Sequence, residues 1–562
     1  MVMSKWKSFL AVIVTSAVLL SLAACGGETG GNVDTSTPNP TKSTSTATAE
    51  PDPEETNTLW TKYDPPIEMH FATSLDANSA ESIAIEKAFG ETLEDNRWIR
   101  YYEDELGIKV VYDMVEPVDY DQAILLAMTS GDLPDYFNIS NYSHMQDMVE
   151  ADILTEMGPL YDKYASPLLK QITESEGDTV FMSGLFDGKL YGLPAKMPST
   201  NAYTHLFVRQ DWLDKLNLER PTTMDELSEV AHAFKTQDPD GNDVDDTIGM
   251  AMDNNFLYQS AGIFWAFGAY PNGDSIWFER DSKLQFANIQ PEMKDGISWL
   301  KMMYDRELIS HEFGSYDYAK GYEEPIMNGK CGLMYGKHWN AYVLGQYMTE
   351  YENSKWVSLP LPVGTVDKIK IPANVEVGGF MVAKKEAEHP EALVYMANAY
   401  VDKLFGENND FDHFFADGDV AGIWSKGPLN MLDPMVDLQA YRDIVAADKA
   451  GTLDQLTGAG RGFYQSYKAG SIYYWIMFGA GDSSFRFVDQ TYPDQIIWNG
   501  FVGAPTPTMA ERWSSMNEML ITSYTNMITD QEDIIGFDKI VEQWYSMGGT
   551  QVEQEVNQRV KN

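Results

Sequence analysis

The sequence is poor in basic residues and in histidine. Its 562 residues include 40 Lys and Arg against 85 Asp and Glu, with only 8 His, so the formal net charge is −45 at pH 7. A negative field of this size repels phosphate backbones. We therefore exclude nucleic acid as a partner and assign most of the acidity to a solvated surface.

Signatures of common hydrolases and nucleotide-binding enzymes are also absent from the sequence. It contains no HExxH zinc helix, no GxSxG elbow and no Walker loop, and the segment SHEFG around His311 lacks a second histidine. Carboxylates are too numerous for a glycosidase pair to be identified by counting. We therefore expect a protein that is not an enzyme, and a tethered carbohydrate-active enzyme is the alternative.

Cysteine is nearly absent, since only Cys25 and Cys331 occur. Cys331 lies among apolar residues in NGKCGLMYG, a setting typical of a buried thiol. Cys25 lies directly after the apolar run FLAVIVTSAVLLSLAA, which follows Lys5 and Lys7. A basic start, an apolar run and small residues at its end are the layout of a secretory signal, and the run is short for a membrane span.

The segment SLAACGG resembles the lipobox of bacterial lipoproteins. In that motif the cysteine is lipidated, with acyl chains such as palmitate, and becomes the mature N-terminus. The resemblance implies a signal peptide over 1–24, lipidation at Cys25, and a protein held at the extracellular face of the cell membrane. An acylated Cys25 leaves no disulfide, so the exported domain must rely on its core. A simple cleaved signal in front of a cysteine is the alternative.

The segment that follows Cys25 has the composition of a tether. Residues 26–58 are rich in Thr, Ser, Gly, Pro and Glu and contain almost no large apolar side chains. Such a segment cannot bury enough apolar surface to fold. We therefore expect residues 25–62 to connect the membrane anchor to a globular body that begins near Tyr63.

The body alternates strand-like and helix-like segments. IEMHFATS and IKVVYDMV have strand character, and NRWIRYYEDELG between them is helix-like and stops at a glycine. Further helical patterns occur in TMDELSEVAHAFKTQD, MKDGISWLKMMYDREL and HPEALVYMANAYVDKLF. Strand–helix–strand alternation predicts an α/β fold with a mostly parallel sheet covered by helices on both faces.

Several segments spread over the body resemble the family 1 extracellular solute-binding proteins of bacterial ABC importers, especially their large oligosaccharide-binding lipoprotein branch. The segments that carry the resemblance are NRWIRYYEDELGIKV, SGDLPDYFNIS, LYDKYASPLLK, DGKLYGLP, FVRQDWLDKLNLERPTTMDEL, VGGFMVAKKEAEHPEALVYMAN, APTPTMAERWSSMNEM and FDKIVEQWYSMGGTQVEQEVNQ. Their number and their order make the likeness specific.

The resemblance implies a two-lobe, periplasmic-binding-protein-like fold of type II, in which the chain crosses the hinge several times and the ligand lies in the cleft. By this analogy lobe 1 holds residues 63–195 and 373–435, and lobe 2 holds 196–372 and 436–562. The implied function is delivery of a carbohydrate, in particular an oligosaccharide, to the ABC permease subunits in the membrane. We expect the protein to act as a monomer.

An acidic loop in DPDGNDVDDTIG indicates a structural calcium site. Calcium binds six to eight oxygens, which closely spaced oxygen-bearing residues in a tight loop provide. The segment resembles the first part of an EF-hand loop and the calcium loop of alginate-oligosaccharide-binding proteins, although Gly249 stands where an EF-hand has a bidentate Glu. A metal-free acidic turn is the alternative. The predicted Ca²⁺ ligands are Asp238, Asp240, Asn242, Asp246 and the carbonyl of Val244.

Aromatic residues make up 12% of the chain and are the first candidates for ligand contact. Flat aromatic rings pack against the apolar C–H faces of pyranose rings, and clefts are lined where segments end beside Gly or polar residues. Three aromatic segments, GIFWAFGAY, YGKHWNAY and GSIYYWIMFG, meet that description. From them we predict ligand contact by Trp339, with Trp265, Trp475 and Tyr474 as further candidates, and burial in the core is the alternative for each.

Polar candidates come from loops that follow predicted strands. Asn138, Asn141 and Tyr142 follow GDLPDYF, and Glu376 precedes a Gly-Gly pair near the expected hinge. Ligands of open α/β sheets bind outside the carboxyl ends of the strands. We therefore predict that these four residues contact the ligand, and ordinary solvated loop polarity is the alternative. For the chain as a whole, a peptide-binding or sensory lipoprotein is a further alternative hypothesis of function.

Overall fold

The computed structural model describes residues 59–177, 179–407, 409–417, 420, 422–503 and 505–559. Residues 57–562 belong to one structural unit. The predicted signal peptide, Cys25 and the tether up to residue 58 lie outside the described residues.

Strands and helices are interspersed up to residue 383, as the sequence predicts, and helices predominate after it. The strands are β1 Ile67–Thr73, β2 Ile108–Val115, β3 Tyr136–Ile139, β4 Leu185–Phe186, β5 Lys189–Leu190, β6 Leu193–Lys196, β7 His205–Arg209, β8 Trp277–Arg280, β9 Lys283–Phe286, β10 Leu333–Gly336, β11 Trp356–Leu359, β12 Ile371–Ala373, β13 Val377–Ala383 and β14 Ile496–Trp498. The helices of the first half are α1 Ala80–Phe89, α2 Arg97–Tyr101, α3 Tyr120–Ser130, α4 Tyr142–Glu150, α5 Gly158–Tyr164, α6 Pro167–Glu174, α7 Thr179–Met182, α8 Gln210–Leu216, α9 Met224–Thr236, α10 Phe256–Gln259 and α11 Ala261–Trp265. Those of the second half are α12 Met293–Asp305, α13 Glu324–Met327, α14 Ala341–Glu350, α15 Ala392–Phe405, α16 Phe411–Phe414, α17 Val436–Ala450, α18 Gly458–Lys468, α19 Tyr473–Phe478, α20 Ser484–Thr491, α21 Pro507–Ile528, α22 Phe537–Trp544 and α23 Thr550–Arg559.

A five-stranded sheet in the order β2-β1-β3-β13-β6 is the first structural centre. β1 pairs in parallel with both β2 and β3, whereas β13 runs antiparallel to β3 and β6. Since β6 is antiparallel to β13, it runs in the same direction as β1 and β3. The carboxyl ends of β1, β3 and β6 and the start of β13 therefore share one edge of this sheet.

Side chains alternate between the two faces of this sheet along each strand, and both faces are buried. Phe71 and Tyr136 contribute to the main core on one face. Phe137 and Phe380 belong to a separate core on the other face, where they pack with Ile124 of α3. Burial on both sides explains the apolar composition of these strands.

A second sheet, in the order β10-β7-β11, departs from the prediction of a mostly parallel arrangement. Both of its pairs are antiparallel. The sequence separation explains why this was missed: β7 is followed by more than a hundred residues before its neighbour β10, so local strand–helix alternation gives no information about their direction.

Helix ends agree with the chemistry predicted from the sequence. The segment before Gly107 forms α2 followed by a π-helical turn over Tyr102–Leu106, and Gly107 ends it in the left-handed conformation with φ 68°. At α9, the Thr223 side chain accepts from the Glu226 backbone and the Glu226 carboxylate accepts from the Thr223 backbone, which is a complete capping box.

Two further features bear on the sequence analysis. Cys331 is fully buried, which confirms it as a core thiol, and burial raises its pKa to about 11. Among the helices that the structure describes, none combines the length and the apolarity needed to cross a bilayer.

Candidate functional site

A cavity lies at the edge of the first sheet where β1, β3 and β6 end. It measures about 260 Å³ and is bordered by the segments after β1 and β6, by Asn138 of β3 and by a loop over 424–431. We call it the carboxyl-edge cavity. Its lining residues are Ala72, Thr73, Ser74, Leu75, Tyr120, Asn138, Leu193, Pro194, Ala195, Met197, Gly378, Met381, Ala397, Tyr400, Trp424, Gly427, Pro428, Leu429, Asn430 and Met431.

The polar groups of this cavity are held in place by the sheet. The backbone N–H of Asn138 donates to the hydroxyl of Tyr120 at 3.2 Å. A Cβ at Gly379, where φ is 125°, would lie 2.4 Å from the Asn138 side-chain oxygen. Glycine at that position therefore leaves room for the Asn138 carboxamide. On the opposite wall, the Asn430 Oδ1 atom is buried and has no hydrogen-bond partner within the described residues.

A second cavity of about 350 Å³ lies at the start of β13. Tyr142, Asn374, Glu376 and Asn499 are among the residues that line it. The Asn499 side chain donates to Asn374 Oδ1 at 2.8 Å, so residues far apart in sequence are tied together there. Burial raises the pKa of the Glu376 carboxyl, an effect that the ammonium groups of Lys196 and Lys337 partly offset.

The two passages of the chain between the sheets, from β6 to β7 and from β11 to β13, meet a third segment around Leu432 beside these cavities. The backbone N–H of Met197 donates to Glu376 O at 3.1 Å, and that of Leu432 donates to Lys196 O at 2.8 Å. Lys196 Nζ donates to Glu176 Oε2 at 2.5 Å, and both side chains are buried. Burial lowers the pKa of Lys196, and the Glu176 carboxylate opposes that shift.

Lys337 places a second buried ammonium group close to the same passages. Its Nζ donates to Ala202 O at 2.9 Å and to Asn272 Oδ1 at 3.0 Å, and it lies 4.1 Å from the centroid of the Tyr258 ring. Burial lowers its pKa to about 7. The Lys337 ammonium group is thus hydrogen-bonded within the protein, to Ala202 on the passage from β6 to β7 and to Asn272.

Of the four predicted polar residues, three border the cavities. Asn138 lines the carboxyl-edge cavity, and Tyr142 and Glu376 line the second cavity. Asn141 caps α4, because its Oδ1 accepts from the backbone N–H groups of Ser143 and His144. Direct contact of these residues with a ligand stays a prediction.

The predicted aromatic residues fall into two groups. Trp339 is 41% exposed and its ring contacts that of His338 edge to face, and Trp475 is partly buried with its ring stacked on Tyr467 at 4.6 Å. Tyr474 is buried, and its ring stacks on Phe463. None of the three lines the carboxyl-edge cavity or the second cavity.

Trp265 requires a correction. Its side chain is completely buried, and its indole N–H donates to Pro271 O at 2.8 Å. The neighbouring Gly268 and polar residues suggested a cleft, but α11 carries this ring into the core of the protein. Trp265 therefore offers no free face for stacking on a ligand.

Sequence reasoning missed several residues of the site. Trp424 and Asn430 lie in a loop whose sequence has no recognisable motif, and Glu176 is one carboxylate among 85 acidic residues. Lys337 was detectable in principle, because it directly follows the apolar strand β10 and precedes the candidate Trp339. An ammonium group at a strand end is a polar candidate of the same kind as Asn138.

The acidic loop brings its predicted calcium ligands together. The Asn242 Nδ2 group donates to Asp240 Oδ2 at 2.8 Å and to Asp246 Oδ1 at 3.3 Å. A hydrogen bond from Asp240 lowers the pKa of Asp238, whereas burial and Asp238 raise that of Asp240. The carboxylates of Asp240 and Asp246 thus share the Asn242 amide as a hydrogen-bond donor. Over the described ranges, no group of three or more His, Cys, Asp and Glu residues is arranged as a metal site.

Comparison with known proteins gives three further findings. Residues 77–410 match the family model described as bacterial extracellular solute-binding protein. The polygalacturonan/rhamnogalacturonan-binding protein YtcQ of Bacillus subtilis is 25% identical over 471 residues, which cover 81% of this chain and 86% of that protein. The fructooligosaccharide ABC transporter substrate-binding protein FusA of Streptococcus pneumoniae is 28% identical over 237 residues, or 40% of this chain and 44% of FusA.

A solved structure is similar over nearly the whole body. The HMO binding ABC-transporter associated solute-binding protein of Bifidobacterium longum infantis aligns with a TM-score of 0.62 at 16% identity, covering 88% of this chain and 98% of that one. The likeness confirms the predicted fold class, the two-lobe α/β architecture of periplasmic-binding-protein-like proteins.

Proposed function

Because this chain belongs to the bacterial extracellular solute-binding protein family, we propose that it binds a carbohydrate, in particular an oligosaccharide, outside the cell and delivers it unchanged to an ABC importer. Members of this family are binding proteins. Two relatives that bind oligo- or polysaccharides by name, YtcQ and FusA, support a carbohydrate ligand.

The observation that carries the proposal is the carboxyl-edge cavity. It lies outside the carboxyl ends of parallel strands, where open α/β sheets bind ligands. Its wall combines apolar and aromatic side chains such as Trp424 with hydroxyl and carboxamide groups of Ser74, Asn138 and Asn430. Sugar rings present both kinds of surface, apolar C–H faces and hydroxyl groups. The cavity also adjoins the crossing passages, so relative motion of the two sheets would change its opening.

We propose that the lobes follow the boundaries implied by the resemblance. The first sheet takes its strands from residues 67–196 and 377–383, and the second from 205–209, 333–336 and 356–359, which supports lobe 1 at 63–195 plus 373–435 and lobe 2 at 196–372 plus 436–562. On this arrangement, Trp339, Trp475 and Tyr474 would contribute from lobe 2, while Asn138, Asn141, Tyr142 and Glu376 would contribute from lobe 1 or the hinge.

We further propose that the acidic loop binds one structural Ca²⁺. Asp238, Asp240, Asn242, Asp246 and the carbonyl of Val244 would hold it. Lys330 Nζ lies 3.2 Å from Asp246 Oδ2 and offsets one of these charges. The remaining carboxylates repel each other, and a divalent cation would replace that repulsion with attraction.

Anchoring completes the proposal. Lipidation at Cys25 would hold the protein at the extracellular face of the membrane, close to the permease that receives the ligand. The polar tether would let a monomeric body reorient without leaving the surface. The lipobox-like SLAACGG carries this part of the proposal.

A thermal-shift screen of the purified body against neutral and acidic oligosaccharides tests the function. A ligand at a hundred times its Kd adds about 2.7 kcal/mol of stability, which raises the melting temperature measurably. Chromatography of the incubated sugars separates the alternatives: an unchanged, retained sugar supports a receptor, and cleavage products indicate a carbohydrate-active enzyme. Stabilisation by peptides alone would indicate a peptide-binding or sensory lipoprotein.

A further inference from the structure

We infer that the carboxyl-edge cavity selects an uncharged oligosaccharide and rejects uronate-containing ones. The inference rests on the proposed function, because it assumes that the ligand is a carbohydrate. It concerns a choice that the similarity to YtcQ, a polygalacturonan/rhamnogalacturonan-binding protein, does not decide at 25% identity.

The first observation is the charge of the wall. Among the described residues, none that lines the carboxyl-edge cavity is an Asp, Glu, Lys, Arg or His. A carboxylate moved from water into such a site loses its hydration and gains no cation in return, which is costly even where some water remains. Sugar hydroxyls lose only neutral hydrogen bonds, and the carboxamides and hydroxyls of the wall replace them.

The second observation is that the nearby cations are engaged elsewhere. Lys196 Nζ, beside Met197 in sequence, donates to the Glu176 carboxylate within the buried pair. Lys337 Nζ donates to Ala202 O and Asn272 Oδ1. Lys426 lies within the cavity loop, between Trp424 and Gly427, yet it lines a separate cavity with Glu86 and Glu91 and donates to Ser82 Oγ at 3.1 Å.

The third observation is the acidity of the cavity mouth. An open groove shares Ser74, Tyr120 and Asn138 with the carboxyl-edge cavity and adds Asp119 and Asp121, and its lining contains no basic residue within the described ranges. An anionic sugar would approach these carboxylates on a protein that already carries a net charge of −45. Repulsion between these carboxylates and the carboxylate of the sugar opposes binding, most strongly at low ionic strength.

The fourth observation concerns hydrogen-bond polarity. Asn430 Oδ1 is a buried acceptor with no partner among the described residues, and it lines the cavity. A buried acceptor gains most from an O–H or N–H donor. The C6 hydroxyl of a neutral hexose can provide that proton, whereas the ionised C6 carboxylate of a uronate is an acceptor only.

Matched pairs of sugars test the inference. Galactotriose and trigalacturonate differ at C6, where CH₂OH replaces COO⁻, and further neutral–uronate pairs extend the panel to other linkages. We expect calorimetric titration to show binding of a neutral member and at least tenfold weaker binding of its uronate partner. Equal or tighter binding of the uronate overturns the inference and leaves carbohydrate binding intact. If no member of any pair binds, both the inference and the proposed function fail.

A variant locates the selection in this cavity. Ser74 is exposed at its mouth, so Ser74→Arg adds a cation with little risk to folding, and Ser74→Gln is the uncharged control. We expect Ser74→Arg, and not Ser74→Gln, to raise the uronate-to-neutral affinity ratio at least threefold at low salt, with the gain lost in 0.5 M NaCl. An unchanged ratio in Ser74→Arg would show that the discrimination occurs elsewhere and would overturn the assignment to this cavity.

Discussion

Lys196 Nζ lies 2.5 Å from Glu176 Oε2 at the point where the two passages of the chain between the sheets meet the segment around Leu432. Their side chains are 0% and 2% exposed. The pair therefore joins α6 and its C-terminal extension to the hinge region, away from bulk solvent. Glu176 also accepts from the Ser199 hydroxyl, which lies on the passage toward the second sheet.

Loss of one partner of this pair is expected to destabilise the protein strongly. Glu176→Gln leaves the buried Lys196 ammonium without its hydrogen-bonded carboxylate, and loss of such a partner typically costs about 3–5 kcal/mol. Glu68→Gln is the matched control, because its 2.6 Å bond to Lys109 is solvent-exposed. Urea unfolding should show a large fall in the free energy of unfolding for Glu176→Gln and almost none for Glu68→Gln. Equal, small effects would refute a structural role of the pair.

Asp253 should make the stability depend on pH. Its side chain is buried, its carboxylate accepts from Asn255 N, and burial raises its pKa to about 6. Because an unfolded Asp titrates near 3.9, the folded state binds the proton more tightly, so this stabilisation is full below about pH 4 and is lost as the pH rises through about 6. Asp253→Asn should therefore be more stable than wild type at pH 7.5, by up to about 3 kcal/mol.

The measurement is a set of denaturation curves between pH 4 and 7.5. The difference between Asp253→Asn and wild type should shrink as the pH falls. Asp448→Asn, an exposed substitution on α17, should parallel wild type at every pH. A constant offset between Asp253→Asn and wild type would contradict the assignment.

Calcium should stabilise the acidic loop. We expect EDTA to lower the melting temperature of wild type and added Ca²⁺ to restore it, since removing the ion leaves Asp238, Asp240 and Asp246 crowded together with only Lys330 to offset one of their charges. Asp240→Ala should lose this response. Asp243→Asn should keep it, because Asp243 is outside the predicted ligand set and Asn tolerates its left-handed φ of 58°. A wild-type melting curve that ignores both EDTA and Ca²⁺ would exclude the site.

Two tryptophans should respond oppositely to truncation. Trp339 is 41% exposed, so Trp339→Ala should leave the melting temperature nearly unchanged and weaken sugar binding about tenfold or more. Trp265→Ala should cost about 3–5 kcal/mol of stability, because it leaves a cavity in the core. Thermal unfolding and titration of both variants give the answer. Strong destabilisation by Trp339→Ala with unchanged affinity would place Trp339 in the core.

The anchor has its own test. Cys25→Ala should abolish acylation and leave the protein either released from the cell or as an unprocessed precursor, because the thiol that carries the lipid is gone. Fractionation of cells with metabolic labelling by a fatty acid distinguishes the forms. A processed Cys25→Ala protein that still sediments with membranes would contradict the lipobox interpretation.

Local patterns predicted the first sheet well. β1, β2 and α2 follow directly from apolar alternation and from the glycine stop at Gly107, because the interactions that define them lie within a few residues. The antiparallel second sheet and the pairing of β13 with β3 depend on contacts between distant segments. Such long-range pairings can be predicted from the sequence only through its resemblance to known proteins.

The candidate site shows the same division. Asn138 was predicted because it lies near a strand end, and Glu376 because it precedes a Gly-Gly pair near the expected hinge; both features are visible in the sequence. Asn430 and Glu176 became candidates only when the fold brought their segments to the same edge. The expectation for Trp265 was wrong. A nearby glycine indicates that the chain reverses, but the packing of α11 decides whether the Trp265 ring is buried or exposed at that reversal.

The central claim is that the sugar binds in the carboxyl-edge cavity. Calorimetric titration of the strongest sugar ligand into a variant whose cavity is blocked tests it most directly. Gly378 lines the carboxyl-edge cavity, and a Cβ there meets no atom closer than 3.6 Å, so Gly378→Phe should fold and fill the mouth. Gly481→Phe is the control, since an added Cβ there has no neighbour within 4 Å. We predict one sugar per protein for wild type and Gly481→Phe, and at least tenfold weaker binding for Gly378→Phe. Wild-type affinity in Gly378→Phe, or no sugar binding by any of the three proteins, would contradict the account.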